Sequence, residues 1–341
     1  MGKSITIRDI AKEAGVSIST VSRVLNGSAN VKEDKRQDIQ RLIDEHDFHP
    51  NMLARSLIQT QTMQIGFIIA DICNPYYSAV FASCEKAANN YGYTLLLMDS
   101  FSEQHKEIEL LEKMVSQQVD AIIMLGGSVD SVRTYPAFRE KIRSVNSQIP
   151  VVVTGHVEDS SCPCINIDAK LAMEKLMEYL NSCGYSKIAF AGGTNGVYFA
   201  SGLRENFRKL LVRYNLPYYS EFDVQSPKYD EVGGYSVANA ILSGKELPDV
   251  IICVNDFTAV GVMNALNEKG LRVPEDVGVV SFDDTFISTL VTPKLTSIGY
   301  NYPRFGEQII KLAVDLIEGM DVPSVSLTEP ELIIRDSCRK K

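Results

Sequence analysis

From about residue 63 onward the chain alternates short, unbroken apolar runs with longer stretches of helical periodicity, and few folds accommodate that pattern. Ile65-Gly66-Phe67-Ile68-Ile69-Ala70, Thr94-Leu95-Leu96-Leu97-Met98 and Ala121-Ile122-Ile123-Met124-Leu125 read as buried strands, since a strand wetted on one face would alternate apolar with polar. Between them, residues 76–91 and 103–118 have the length and period of crossover helices. The alternation restarts after a connection near Cys162-Pro163-Cys164. Strands are expected at 187–191, 250–254 and 277–282, with helices near 168–183, 199–214, 231–243 and 256–269. Strands apolar on both faces and separated by helices predict two parallel sheets covered on both sides, hence an α/β body of two lobes with a cleft between them.

The first fifty residues follow a different rule. Thr6-Ile7-Arg8-Asp9 places an N-cap threonine three residues before an acid, and Ile7, Ile10, Ala11 and Ala14 follow at helical spacing up to Gly15. Ser17 then caps a second helix that buries Val21, Val24 and Leu25 and stops at Asn26-Gly27. A third helix is expected from about Glu33 to Glu45, burying Ile39, Leu42 and Ile43. Two short helices joined by a tight turn and braced by a third make a helix-turn-helix, whose second helix can enter a major groove. Ile18, Ser19 and Arg23 project from that helix: Arg23 suits guanine edges and Ile18 a thymine methyl. A plain three-helix subdomain that binds nothing has the same spacing.

Ile7-Arg8-Asp9-Ile10-Ala11-Lys12-Glu13-Ala14-Gly15-Val16-Ser17, followed by Thr20-Val21-Ser22-Arg23-Val24-Leu25-Asn26, resembles the DNA-binding headpiece of LacI/GalR-family transcription regulators. The resemblance implies DNA contacts from Thr6, Ser17, Ile18, Ser19, Thr20, Ser22, Arg23 and Asn26. Downstream, Asn51-Met52-Leu53-Ala54-Arg55-Ser56-Leu57 allows under two helical turns after Pro50, too short to hold alone in water, so a linker is the plain reading. The segment is similar to the family's hinge helix, which implies that Leu57 wedges between base pairs in the minor groove, with Asn51, Ala54 and Arg55 beside it. Asn255-Asp256, the run 270–277 and Phe282-Asp283-Asp284 match the family's C-terminal signatures.

The whole layout is then a headpiece at 1–50, a hinge at 51–62 and a periplasmic-binding-protein-like effector-binding and dimerisation body at 63–341. Its N-subdomain is expected at about 63–160 and 293–320, its C-subdomain at about 163–290 and 323–337. Ligands of parallel sheets bind outside the carboxyl ends of the strands. Tyr76 and Tyr77 follow the first strand, Asn255 and Asp283 end two others, and aromatic faces with amides and carboxylates suit a small polyhydroxyl ligand. The resemblance carries the effector role to these four and, across a loop, to Tyr229. One departure stands out: the family often binds its effector with an arginine where this chain has Leu203, while Arg204 comes one residue late and Asn206 replaces a glycine. A one-residue shift turns a helical side chain by about 100°. Either Arg204 reaches the cleft by local adjustment or the arginine clamp is missing.

The expectation is a cytoplasmic repressor, a homodimer on a pseudopalindromic operator, with the helix near 76–91 in the dimer surface by resemblance and a sugar or related metabolite as effector. Control of the same fold by a protein partner, and a non-regulatory small-molecule-binding protein, are the alternatives. Gly192-Gly193-Thr194-Asn195-Gly196 lacks the Gly-x-Gly-x-x-Gly spacing, and no nucleophile elbow or Walker lysine occurs, so no enzyme and no cofactor are expected. Cys162, Cys164 and His156 make a weak metal set, and ordinary thiols are the expectation. His46, His49 and His105 sit in polar segments and read as solvated. No membrane span or secretory signal is visible, and the 335–341 tail has no heptad repeat. The formal charge of −9 argues against a nucleic-acid partner until it is divided along the chain. Residues 1–57 hold nine Lys or Arg against eight Asp or Glu, so the whole acidic excess lies in the body. An anionic partner is expected to meet the N-terminal segment.

Overall fold

The computed structural model describes residues 5–25, 31–46, 48 and 61–339. Asn26, His49 and the hinge residues Asn51, Ala54, Arg55 and Leu57 lie outside the described residues. The described residues fall into two compact units divided between Thr62 and Met63.

In the first unit, α1 (Ile7–Glu13), α2 (Ile18–Leu25) and α3 (Glu33–Glu45) form where the caps and apolar spacing predict them. Thr6 and Asp9 make a reciprocal capping box: Thr6 Oγ1 accepts from Asp9 N at 3.4 Å, and Thr6 N donates to Asp9 Oδ2 at 2.9 Å. Gly15 turns the chain at φ +64°, a conformation costly for a residue with a Cβ. Ser17 Oγ then accepts from Thr20 N at 3.2 Å and opens α2. Ile10, Ala11, Val21, Val24, Ile39, Leu42, Ile43 and Phe48 are the core of this unit, with Ile7, Ala14 and Leu25 at its margin. His46 is not simply solvated. Its Nε2 lies 2.9 Å from Glu13 Oε2, tying the end of α3 to α1.

The second unit holds two six-stranded sheets. The first contains β1 (Gln64–Ile69), β2 (Thr94–Asp99), β3 (Ala121–Leu125), β4 (Val151–Thr154), β5 (Cys164–Ile167) and a late strand, here β11 (Val325–Thr328), in the order β11-β5-β4-β3-β1-β2. All its pairings are parallel. The second contains β6 (Ile188–Ala191), β7 (Asp223–Val224), β8 (Val250–Cys253), β9 (Gly278–Asp283), β10 (Thr296–Gly299) and β12 (Glu331–Ile333), in the order β12-β10-β9-β8-β6-β7. It is parallel except for the antiparallel edge pairing of β12 with β10.

The unbroken apolar runs follow from burial on both faces. Ile65, Phe67 and Ile69 enter one core cluster while Ile68 enters another on the opposite face; Ile188 and Phe190 divide from Ala189 and Ala191 in the same way. β2 departs from expectation, since it is the sheet edge and Leu97 is exposed. The helices are α4 (Pro75–Asn90), α5 (Gln104–Ser116), α6 (Pro136–Asn146), α7 (Ala169–Ser182), α8 (Tyr198–Arg213), α9 (Glu231–Leu242), α10 (Asp256–Glu268), the short α11 (Ile287–Leu290) and α12 (Tyr302–Ile317). Asn74, Asp168, Asp230 and Asn255 cap α4, α7, α9 and α10 with their side chains.

Sheet membership differs from the expected lobe boundaries in three places. β5, placed in the C-subdomain by its position after 163, belongs to the first sheet; β10, within 293–320, belongs to the second; β11, within 323–337, returns to the first. These are short strands lying close to lobe crossings, and apolar content alone does not say on which side of a crossing a four-residue strand falls.

Candidate nucleic-acid interface and ligand cleft

On α2, Val21 and Val24 are buried while Ile18, Ser19 and Arg23 are exposed, with Thr20 and Ser22 half-buried. Residues 18 and 22, and 19 and 23, are four apart and therefore adjacent on one helical face. A branched aliphatic at 42% exposure beside an exposed arginine has no folding benefit to the three-helix unit. Ser17 Oγ lies 2.7 Å from Ser19 Oγ and 2.8 Å from Thr20 Oγ1, so the hydroxyls cluster at the start of this helix. Thr6 and Ser17, besides capping, are exposed.

The body contains a cleft of about 650 Å³ lined from both sheets, at the carboxyl ends of their strands. Tyr76, Tyr77, Tyr229, Asn255 and Asp283 all line it. Tyr76 and Tyr77 open α4, where Asn74 Oδ1 accepts from Tyr76 N at 3.0 Å. The Tyr77 hydroxyl packs against Gly126, where a Cβ would overlap it. Asn255 is a positioning residue: Oδ1 accepts from Thr258 N at 2.8 Å and Nδ2 donates to Tyr229 O at 3.0 Å. Tyr229 in turn accepts from Thr194 N at 3.3 Å. Asp283 ends β9 at φ +97°, a region L-residues seldom occupy, and is held there as Tyr302 Oη donates to its carbonyl at 2.8 Å.

Arg204 does not reach the cleft. It is buried, with Nε donating to Asp223 Oδ1 at 2.6 Å, Nη2 donating to Gly192 O at 2.8 Å, and its guanidinium carbon 4.7 Å from the Phe190 ring centroid. Burial alone would push the Asp223 carboxyl up, but Arg204 and Arg208 prevail and hold it below its ordinary value. Leu203 is in the core. Rotating one residue along α8 thus turns the arginine into a structural ion pair, and Glu205 and Asn206 line the cleft instead.

Several lining residues carried no sequence signal strong enough to single them out. Asp130 follows β3 through Gly126 and Gly127, both at positive φ, and a short 3-10 turn. That turn is pinned by the buried Glu107, whose Oε1 accepts from Ser128 N at 3.0 Å. Asp130 Oδ1 accepts from Phe199 N at 3.3 Å, in the first turn of α8, so a carboxylate carried by the first sheet caps a helix that packs on the second. Tyr300 follows β10, a strand that was not expected. Its ring packs edge-on against Tyr76 at 6.1 Å and Phe199 at 6.2 Å.

Burial dominates the electrostatics of the cleft. It pushes the Asp130 carboxyl up to about 7, against the Phe199 amide, which favours the charged form. Burial and the neighbouring Asp256 charge raise Asp283 well above the carboxylate range. Asp256 sits beneath, pushed up to about 6 by burial despite accepting from Ser281, Ser297 and Thr285. A carboxyl whose folded pKa is raised favours folding most below its ordinary pKa, and that contribution is lost as pH rises through the folded value. Asp130→Asn is therefore expected to raise the midpoint of thermal unfolding at pH 8 and to reduce the fall in stability between about pH 4 and 7. Unfolding curves at pH 4, 6 and 8 check this; an unchanged pH profile would contradict it.

Cys162 and Cys164 lie buried in the apolar cluster of the first sheet, where burial pushes the Cys162 thiol up to about 11. Both are free thiols. His156 is exposed at the cleft rim, and His105 is exposed and paired with Glu103. Among the described residues no helix is long and apolar enough to cross a membrane.

Comparison with known proteins agrees with this geometry. Residues 6–51 match the model of bacterial regulatory proteins of the lacI family, and residues 177–338 match the periplasmic-binding-protein-like domain. The chain is 33% identical to catabolite control protein A of Staphylococcus epidermidis over 306 residues, covering 86% of this chain and 87% of that protein. The chain belongs to the LacI family. This LacI-family regulator also superposes on the lac repressor dimer bound to operator and an anti-inducer, with a TM-score of 0.87, 23% identity and coverage of 98% and 99% of the two chains. A CelR regulator in complex with cellobiose gives a TM-score of 0.73 at 22% identity, covering 98% of this chain and all of that one. The family consists of transcription regulators, and this chain is a DNA-binding transcription regulator of the same two-part fold.

Proposed function

We propose that this regulator is a repressor in the cytoplasm, acting as a homodimer on a pseudopalindromic operator and controlled by a small molecule in the cleft. The observation that carries the reading is the exposed Ile18, Ser19 and Arg23 face on a helix whose opposite side is the core of its own unit. Two-fold symmetry of the protein supplies two such helices to two half-sites. Thr6, Ser17, Thr20, Ser22 and Asn26 hold the backbone contacts that set register, while Arg23 and Ile18 read bases. The cleft is lined by both sheets, so a ligand there favours one arrangement of the lobes over another. DNA and ligand must then change each other's affinity by the same factor. The cellobiose complex of a protein with this fold supports a small polar ligand.

Asn51, Ala54, Arg55 and Leu57 form the hinge in this account, with Leu57 as the minor-groove wedge. Unstacking a base step costs a few kcal/mol, offset by contacts that kinked DNA permits. Leu57→Ala is expected to weaken specific binding and reduce the DNA bend while the unfolding midpoint stays unchanged. Circular-permutation gel shifts measure the bend, and an undiminished bend would remove the wedge from the account.

A further inference from the structure

The cleft is unbalanced in charge. Of its lining residues, Asp130, Asp168, Glu205 and Asp283 are acidic, whereas Lys170 and His156 alone can carry positive charge and both are exposed. Asp168 is engaged as the cap of α7, Glu205 pairs with Lys209 at 2.6 Å, and Asp130 Oδ1 accepts from Phe199 N at 3.3 Å; Asp130 and Asp283 are the two of these acids that burial pushes upward. Asp283 is only 7% exposed and no basic side chain pairs with it among the described residues. Beside it, the buried Tyr300 hydroxyl lies against the Asp283 carboxyl, whose charged form it favours, on the cleft wall. Tyr76, Tyr77 and Tyr229 add aromatic rings to the same wall. Arg204 on α8 is held by Asp223 and the Gly192 carbonyl and does not line the cleft.

Each class of small polar ligand meets this wall differently. An anionic ligand brings like charge to two desolvated carboxyls, with no buried base to oppose it. A neutral polyol bonds to the same oxygens but brings no charge to draw the two carboxyls into their ionised form. A cation pairs with them and also gains from the electron-rich faces of the tyrosines.

We propose that the cleft takes a positively charged, amine-bearing polyhydroxyl ligand, an amino sugar in chemical class, with its ammonium between Asp130, Asp283 and the tyrosine faces. The proposal rests on the cleft being the effector site. Isothermal titration of the full chain with glucosamine, galactosamine and mannosamine, each beside its parent hexose, its N-acetylated form and the hexose 6-phosphate, tests it. The N-acetyl form keeps the frame and removes the charge. At least one amine is expected to bind at least about tenfold tighter than both its parent and its N-acetyl form, since a buried charge pair is lost in each comparison. In Asp283→Asn that preference should fall towards one, and the ligand-side comparison stands even if this variant folds poorly. A hexose, N-acetyl form or 6-phosphate that binds as well as the amine overturns the proposal and leaves the effector site intact. Binding by none of them overturns the proposal too, and if none changes operator affinity either, the effector reading of the cleft falls with it.

Discussion

Arg23→Ala is expected to lower affinity for the preferred operator by between about thirtyfold and ten-thousandfold. The magnitude follows from symmetry: a good bidentate base contact discriminates by about 1–3 kcal/mol, and a homodimer loses one from each half-site. Arg23 is exposed on α2, outside the Ile10, Val21 and Ile39 core, so the unfolding midpoint should not move. The loss should also be selective. Fluorescence anisotropy with duplexes varied at one position per half-site should show discrimination relaxed at that position in the variant. Uniform weakening across all duplexes, accompanied by a smaller salt slope, would instead place Arg23 on a phosphate.

Gly261→Ala is expected to destabilise the body by about 3 kcal/mol, at the upper end of what one inserted methyl costs in a packed interior. Gly261 lies on α10 where it crosses α9, and a Cβ there would overlap the Glu231 carbonyl oxygen and meet Tyr235 N at 2.5 Å. Gly234, on the facing helix, is equally pressed against the Thr258 carbonyl. The obstacles are backbone atoms, so no rotamer change relieves the overlap and the helices must separate. That separation matters beyond stability, because α10 begins at Asn255 and carries the contact that holds Tyr229 in the cleft. Urea unfolding of the variant measures the loss; a change within a few tenths of a kcal/mol would show that the pair separates at little cost.

What could be read from the residues beforehand divides along physical lines. Both parallel sheets were legible because strands such as Ile65–Ala70 divide their side chains between two cores, which leaves no room for polar alternation. The headpiece was legible because its signals are local: a capping box at Thr6 and Asp9, a glycine at +64°, a capping hydroxyl at Ser17. Asn255, Asp283, Tyr76 and Tyr77 were found because they lie at the ends of recognised strands or in the loops and helix starts that come after them. Tyr300 was missed because β10 is four residues long and its run, Thr296-Ser297-Ile298-Gly299, holds a single large apolar residue. Asp130 was missed because the turn that carries it depends on Gly126, Gly127 and the buried Glu107, and its role comes from a helix nearly seventy positions away. The direction of Arg204 was open in the sequence and closed by the structure: a partner at position 223 decides it, and nothing in Leu203-Arg204-Glu205 announces that partner.

Recognition of a two-fold symmetric DNA sequence through α2 underlies every role assigned above to this regulator. Selection of duplexes from a random pool by the full chain, followed by sequencing, tests it most directly. One pseudopalindrome with two half-sites at fixed spacing should be enriched, and that enrichment should be lost in Arg23→Ala. A pool that stays random after repeated rounds, or an enriched site without two-fold symmetry, would contradict it.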